Sequence, residues 1–136
     1  MRIAVDAMGS DGAPDVEVEG AVQASLESDV ELILVGDEEI LNTKLEAFAE
    51  RGNIRVVHAT QAIGMNESPI MAVRKKKDSS LSVALRLVKH DEADAVVTAG
   101  NTGAVIVSAR GVLGRVRGAT RVAICQTLPT LKGRVV

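Results

Sequence analysis

Short β-branched runs alternating with longer stretches of helical period predict an α/β fold built on a mostly parallel sheet with helices packed on it. Two further observations support that class. Glu31 to Val35 is a near-continuous apolar run ending at Gly36, the form of a strand buried on both faces. Glycine-bearing turns follow the apolar runs at Ile3 to Val5 and Ala95 to Thr98, where strands of such sheets pass into helices. The chain has 136 residues, the size of one domain, and contains neither internal repeat nor linker.

The first strand is expected at Ile3 to Val5, breaking at Asp6 into the loop Ala7 to Ala13 with Gly9 and Gly12. Pro14 suits the first turn of a helix, whose Val18, Val22 and Leu26 recur every fourth residue with Ala21 alongside and form its packing face. After the strand ending at Gly36, Asp37 is placed to cap a helix carrying Leu41, Leu45 and Phe48, with Gly52 in the position that favours a stop. Ile54 to Val57 forms the third strand. Ala59 to Ser68 has no period, and a loop of that length within a compact domain is commonly functional.

Pro69 starts a short helix with Ile70, Met71 and Val73 that runs into Arg74-Lys75-Lys76-Lys77, and Asp78-Ser79-Ser80 offers a fresh N-cap. Leu81, Ala84, Leu85 and Val88 then give an i, i+3, i+4, i+7 face. The fourth strand, Ala95 to Thr98, leads through Ala99 to Gly103 into an apolar helix from Ala104 to about Leu113, and Val122 to Cys125 reads as a fifth strand. Leu128 to Gly133 reads as a loop. Arg134-Val135-Val136 reads as the opening of a sixth strand, so the expectation is a domain cut short at its C-terminal side.

Composition excludes several functions. With one Phe and neither Trp nor Tyr, the chain has no stacking platform for single-stranded nucleic acid, and its net charge of −2 provides no broad positive field for DNA or RNA. One Cys precludes an internal disulfide, and two His and one Cys without ligand spacing make no zinc site, so neither metal nor cofactor is expected. Cys125 and the Met residues read as core, His58 as a residue able to point into a site, and His90 as a partner of a helix C-terminus. The N-terminal apolar run meets Asp6 too early for a signal peptide or membrane span. The expected location is cytoplasmic, with peripheral membrane contact open because it needs no span.

Three segments are candidate chemistry. Asp6 to Asp11 joins carboxylates to Gly9 and reads either as a ligand turn or as an ordinary strand-to-helix turn. Gly100-Asn101-Thr102-Gly103 lets backbone approach a ligand and aims N–H groups and a helix dipole at an anion such as phosphate or a developing oxyanion; its plainer reading is an N-cap by Asn101 or Thr102. Lys76, Lys77, Ser79 and Ser80 belong to a charge run that is ordinarily a solvated face, yet stand beside a helix start where they can take an anion or dock an acidic partner.

Taken together, Ile3-Ala4-Val5-Asp6-Ala7-Met8-Gly9, Val73 to Ser80 and Ala99-Gly100-Asn101-Thr102-Gly103-Ala104 resemble the bacterial phosphate acyltransferases of phospholipid synthesis. Ser10, where that family usually has Gly, and Gly12, where it usually has His, depart from the pattern. The resemblance implies a three-layer α/β fold like that of isopropylmalate dehydrogenases and phosphotransacetylases. It also implies a homodimer, peripheral membrane association, and transfer of a fatty acyl group from acyl-acyl carrier protein to inorganic phosphate. Asn101 and Asp6 are the candidate catalytic residues, with Gly9, Asp11, Lys76, Lys77, Ser79, Ser80, Gly100, Thr102 and Gly103 candidates for binding phosphate or substrate. A coenzyme A-dependent phosphotransacetylase and a non-catalytic anion-binding module are the alternatives. The isolated chain is expected to be inactive.

Overall fold

The computed structural model describes residues 1–125, together with the backbone of 128–130 and 133–135. Its elements are β1 (Arg2–Asp6), α1 (Asp15–Glu27), β2 (Glu31–Gly36), α2 (Glu38–Leu45), β3 (Ile54–His58), α3 (Pro69–Lys75), α4 (Ser80–Lys89), β4 (Ala95–Thr98), α5 (Thr102–Val112), β5 (Leu128–Thr130) and β6 (Gly133–Val135). A four-stranded sheet runs in the order β3-β2-β1-β4, and all its pairings are parallel. All four strands therefore end on one side, at Asp6, Gly36, His58 and Thr98.

Strand alternation divides the core. Leu32 and Leu34 of β2 pack with Val18, Ala21 and Val22 of α1 and Leu41 and Leu45 of α2, whereas Ile33 and Val35 face Val83, Ala84 and Leu87 of α4. Covering a strand on both sides explains why its sequence is apolar throughout. Fully burying a side chain such as Ile33 or Leu34 contributes about 1.5–3 kcal/mol. A third cluster joins Ile63, Ala72, Leu81, Leu85 and Ala104, seating α5 against α3 and α4. The result is the three-layer arrangement of helix, sheet and helix. No helix among the described residues is long and apolar enough to cross a membrane.

Several expectations need correction. Val122 to Cys125 forms no strand; Val122 and Ile124 are exposed and the run has no pairing partner among the described residues, without which an apolar run does not become a strand. Cys125 is consequently exposed. Leu26 is 51% exposed because the buried stripe of α1 is Val18, Ala21, Val22 and Ser25, which turns Ser25 and not Leu26 inward in the last turn. Met65 and Met71 lie on the surface. Helix α2 stops at Leu45, well before Gly52, whose role is a different one: its φ of +59° is left-handed, and a Cβ there would stand 2.3 Å from Ser25 Oγ. The segment read as a loop from Leu128 contains β5, which pairs antiparallel with β6, so the pair is a separate hairpin and does not extend the main sheet; Val136 of the expected sixth strand lies outside the described residues.

Candidate functional site

At the carboxyl end of the sheet, adjacent β1 and β4 place Asp6 opposite Thr98. The Thr98 hydroxyl donates to Asp6 Oδ2 at 2.8 Å and accepts the Gly100 N–H at 3.0 Å, so the carboxylate fixes the turn after β4 through one intermediary. Asp6 is 2% exposed, and its Oδ1 has no hydrogen-bond partner among the described residues. Gly9 and Gly100 close over this pair. A Cβ on Gly9 would fall 2.6 Å from Asp6 Oδ2 and 3.3 Å from Gly100 Cα; one on Gly100 would fall 3.3 Å from Gly9 Cα. The two turns thus meet backbone to backbone, an approach only glycine permits.

Asn101 is the N-cap of α5 and uses its whole amide internally. Oδ1 accepts the Ala104 N–H at 3.1 Å, while Nδ2 donates to the carbonyls of Met65 at 3.0 Å and Glu67 at 3.1 Å. It ties the irregular segment 59–68 to the helix start. Gly103 permits the same closeness, since a Cβ there would lie 2.6 Å from Pro69 Cγ. Thr102 and Gly103, the first residues of α5, carry N–H groups with no intrahelical acceptor, which leaves them for a ligand or water.

The basic run holds the same segment from its other side. Lys76 donates to the Ala62 carbonyl at 2.6 Å and pairs with Glu67, whose carboxylate also accepts the Gly64 N–H at 2.7 Å. Asp78 accepts both the hydroxyl and the N–H of Thr60, and Gln61 bridges to Ser79. Lys76 and the Gly64 amide hold Glu67 below its ordinary range, and the Thr60 donors do the same for Asp78. Depressed carboxyl pKa values stabilise the folded loop above the unfolded values, ordinarily 4.5 and 3.8, and that contribution is lost as pH falls through the folded ones. The protection factors of the amides across 60–67, taken relative to the unfolded-chain rate at each pH, should therefore be unchanged between about pH 7 and 5 and fall on acidification below about pH 4; a fall already near pH 6 would contradict these carboxylates as the fastening.

A family model described as fatty acid synthesis protein matches residues 1–136. The chain belongs to that family. Among its relatives, the phosphate acyltransferase of Geotalea daltonii is 52% identical over 135 residues, covering 98% of this chain and 39% of its own length. The phosphate acyltransferase of Geotalea uraniireducens is 53% identical with the same coverage, and that of Desulforamulus reducens is 48% identical over 136 residues, 41% of its length. The chain thus spans about two fifths of the curated relatives it matches.

Within this family member, the structure brings together Asp6, Gly9, Gly100, Asn101, Thr102 and Gly103 at the meeting of two turns. Asp11 is exposed in the turn beyond Gly9. Ser79 is wholly buried and caps α4, accepting the Ser82 N–H at 3.3 Å, and Ser80 is buried behind it. Lys76 is spent inside the protein, whereas Lys77 is exposed. His58 Nδ1 accepts the Glu38 N–H at 3.2 Å, a local bond at the start of α2. Sequence reasoning missed Thr98 and Glu67. The hydroxyl on the last residue of a strand was a usable signal for Thr98, but nothing in the spacing linked Glu67 to Lys76.

Proposed function

We propose that this chain carries the phosphate-binding and carbonyl-polarising part of an enzyme that transfers a fatty acyl group from acyl-acyl carrier protein to inorganic phosphate. The observation that carries the reading is the 52% identity, over nearly the whole chain, to a protein named phosphate acyltransferase. The junction of the Gly9 and Gly100 turns beside free helix N–H groups agrees with it. Such transfer needs a positioned phosphate and donors for the tetrahedral oxyanion, and phosphate at neutral pH is itself the nucleophile. An oxygen of phosphate adds to the thioester carbon, and collapse of the adduct breaks the C–S bond and releases the thiolate, which takes a proton from solvent. In this scheme the Thr102 and Gly103 amides face the anionic oxygens. Asn101 positions them by capping α5 and anchoring 64–67, and Asp6 holds the Gly100 turn through Thr98.

A chimera in which this chain replaces the matching residues of the Geotalea daltonii protein tests the proposal. It is expected to form acyl phosphate, trapped as the hydroxamate, from acyl-acyl carrier protein and phosphate, while the chain alone forms none. Turnover of acyl-coenzyme A in preference to the carrier-protein thioester would move the reading to a phosphotransacetylase. A folded chimera inert with both donors would refute it.

A further inference from the structure

Between α3, α4 and α5 lies a cavity of about 180 Å³, away from the turns described above. It is lined by two cations, Lys77 and Arg86, two serines, Ser82 and Ser108, and the apolar side chains of Val73 and Val112, with no carboxylate among its walls. Ser108 stands six residues into α5 from Thr102, about 9 Å along the helix, so this is a different place from the helix start.

We infer that this cavity is a binding site for a small tetrahedral oxyanion, a phosphate group above all. Its size sets the class, because pockets for drug-sized ligands measure about 300–1,000 Å³ and this one admits only an ion or the terminal group of a larger molecule. Its donors set the sign. Arg86 uses one Nη for the Lys77 carbonyl at 2.8 Å and the other for Asp78 Oδ1 at 3.3 Å, which orients the guanidinium and leaves N–H groups of its fork available. Asp78 pairs with Arg86 through Oδ1 and accepts from Thr60 with its other oxygen, so the net charge facing the cavity rests on Lys77. Lys77 is exposed and has no ion-pair partner among the described residues.

The hydroxyls complete the set. Ser82 Oγ accepts from Ser79 Oγ at 2.8 Å, so its own proton is free to donate. Ser108 is 1% exposed and its hydroxyl has no partner among the described residues, a state that costs about 1–3 kcal/mol in a buried group. Because Ser108 lines the cavity, an anionic oxygen held there is the partner its hydroxyl lacks. Gly111 also lines the cavity and adds no side chain to it. Two charges and two hydroxyls over an apolar floor suit a dianion with acceptors in several directions better than a planar carboxylate.

Titration of the chain with inorganic phosphate, at constant ionic strength and followed by amide shifts, tests the site. Saturable shifts are expected at Ser82, Ser108 and Gly111. Lys77→Met is expected to weaken binding about tenfold or more, and Ser108→Ala, which removes a hydroxyl with no partner among the described residues, to weaken it too while leaving the thermal midpoint unlowered. Phosphopantetheine serves as the second titrant: shifts with both assign the site to phosphate dianions generally, and shifts with it alone assign the site to the phosphoryl end of a larger molecule. Absence of saturable shifts at these amides with either titrant, or equal affinity in Lys77→Met, overturns the inference. Shifts confined to 101–104 overturn it too, while leaving the proposed function standing.

Discussion

Replacing Asn101 by alanine is expected to lower stability by about 2–4 kcal/mol and, in the chimera, to reduce acyl phosphate formation at least about tenfold. The stability figure combines the loss of an N-cap, about 1 kcal/mol, with two hydrogen bonds to Met65 and Glu67 carbonyls at about 0.5–1.5 kcal/mol each. For a domain of this size that corresponds to a fall of roughly 10 °C in the unfolding midpoint. Asn101→Asp separates the two roles. A carboxylate still caps α5 but donates nothing to the carbonyls of 64–67, so this variant should retain the helix start while amide exchange in 64–67 accelerates. If the aspartate variant protects that segment as well as the native chain does, the clamp is not what Asn101 supplies. If alanine leaves kinetics unchanged, Asn101 does not belong to the site.

Gly9→Ala should cost roughly a hundredfold in acyl phosphate formation by the chimera. The added Cβ would lie 2.6 Å from Asp6 Oδ2, closer than side chains approach, and Asp6 is buried and cannot swing out to solvent. Either the carboxylate moves and releases Thr98, or the Gly9 turn lifts from Gly100; both disturb the turn whose amides the proposed reaction would use. Overpacking of this kind costs about 1–3 kcal/mol in stability, so the variant should still fold. Gly20→Ala provides the contrast: no atom lies within 4 Å of the new methyl, and within a helix the change should add about 0.5–1 kcal/mol. Native-like turnover in a folded Gly9→Ala chimera would show that the contact between the two turns is dispensable.

Much of the architecture was legible because the deciding forces are local. The strand at Glu31 is apolar throughout because helices cover both its faces, and α4 shows its stripe because Ala84 packs toward the sheet while Leu81 and Leu85 pack toward α3 and α5. Ser79 and Asn101 act as caps as their residue types suggest. What was illegible depended on neighbours distant in sequence. That Asp6 meets Thr98 follows from the strand order β3-β2-β1-β4, which no spacing encodes. The lysine run reads as one feature, yet Lys76 points inward to Ala62 and Glu67 while Lys77 reaches the cavity near Ser108, because successive residues leave the backbone in different directions. Val122 to Cys125 shows the converse, an apolar run with strand composition and no partner to pair with.

The bond between Asp6 and Thr98 spans 92 residues of chain. Closing so long a separation carries a loop entropy that local contacts do not, and topologies rich in such closures fold slowly. During synthesis β1 emerges first, but the flank facing β4 stays unpaired until Thr98 has left the ribosome, several seconds later at about 5–20 residues per second. Over that interval the edge is open to wrong strands. The junction of the Gly9 and Gly100 turns therefore assembles only after β4 has been made, and the stretch of translation between Asp6 and Thr98 is the interval in which β1 is exposed to mispairing.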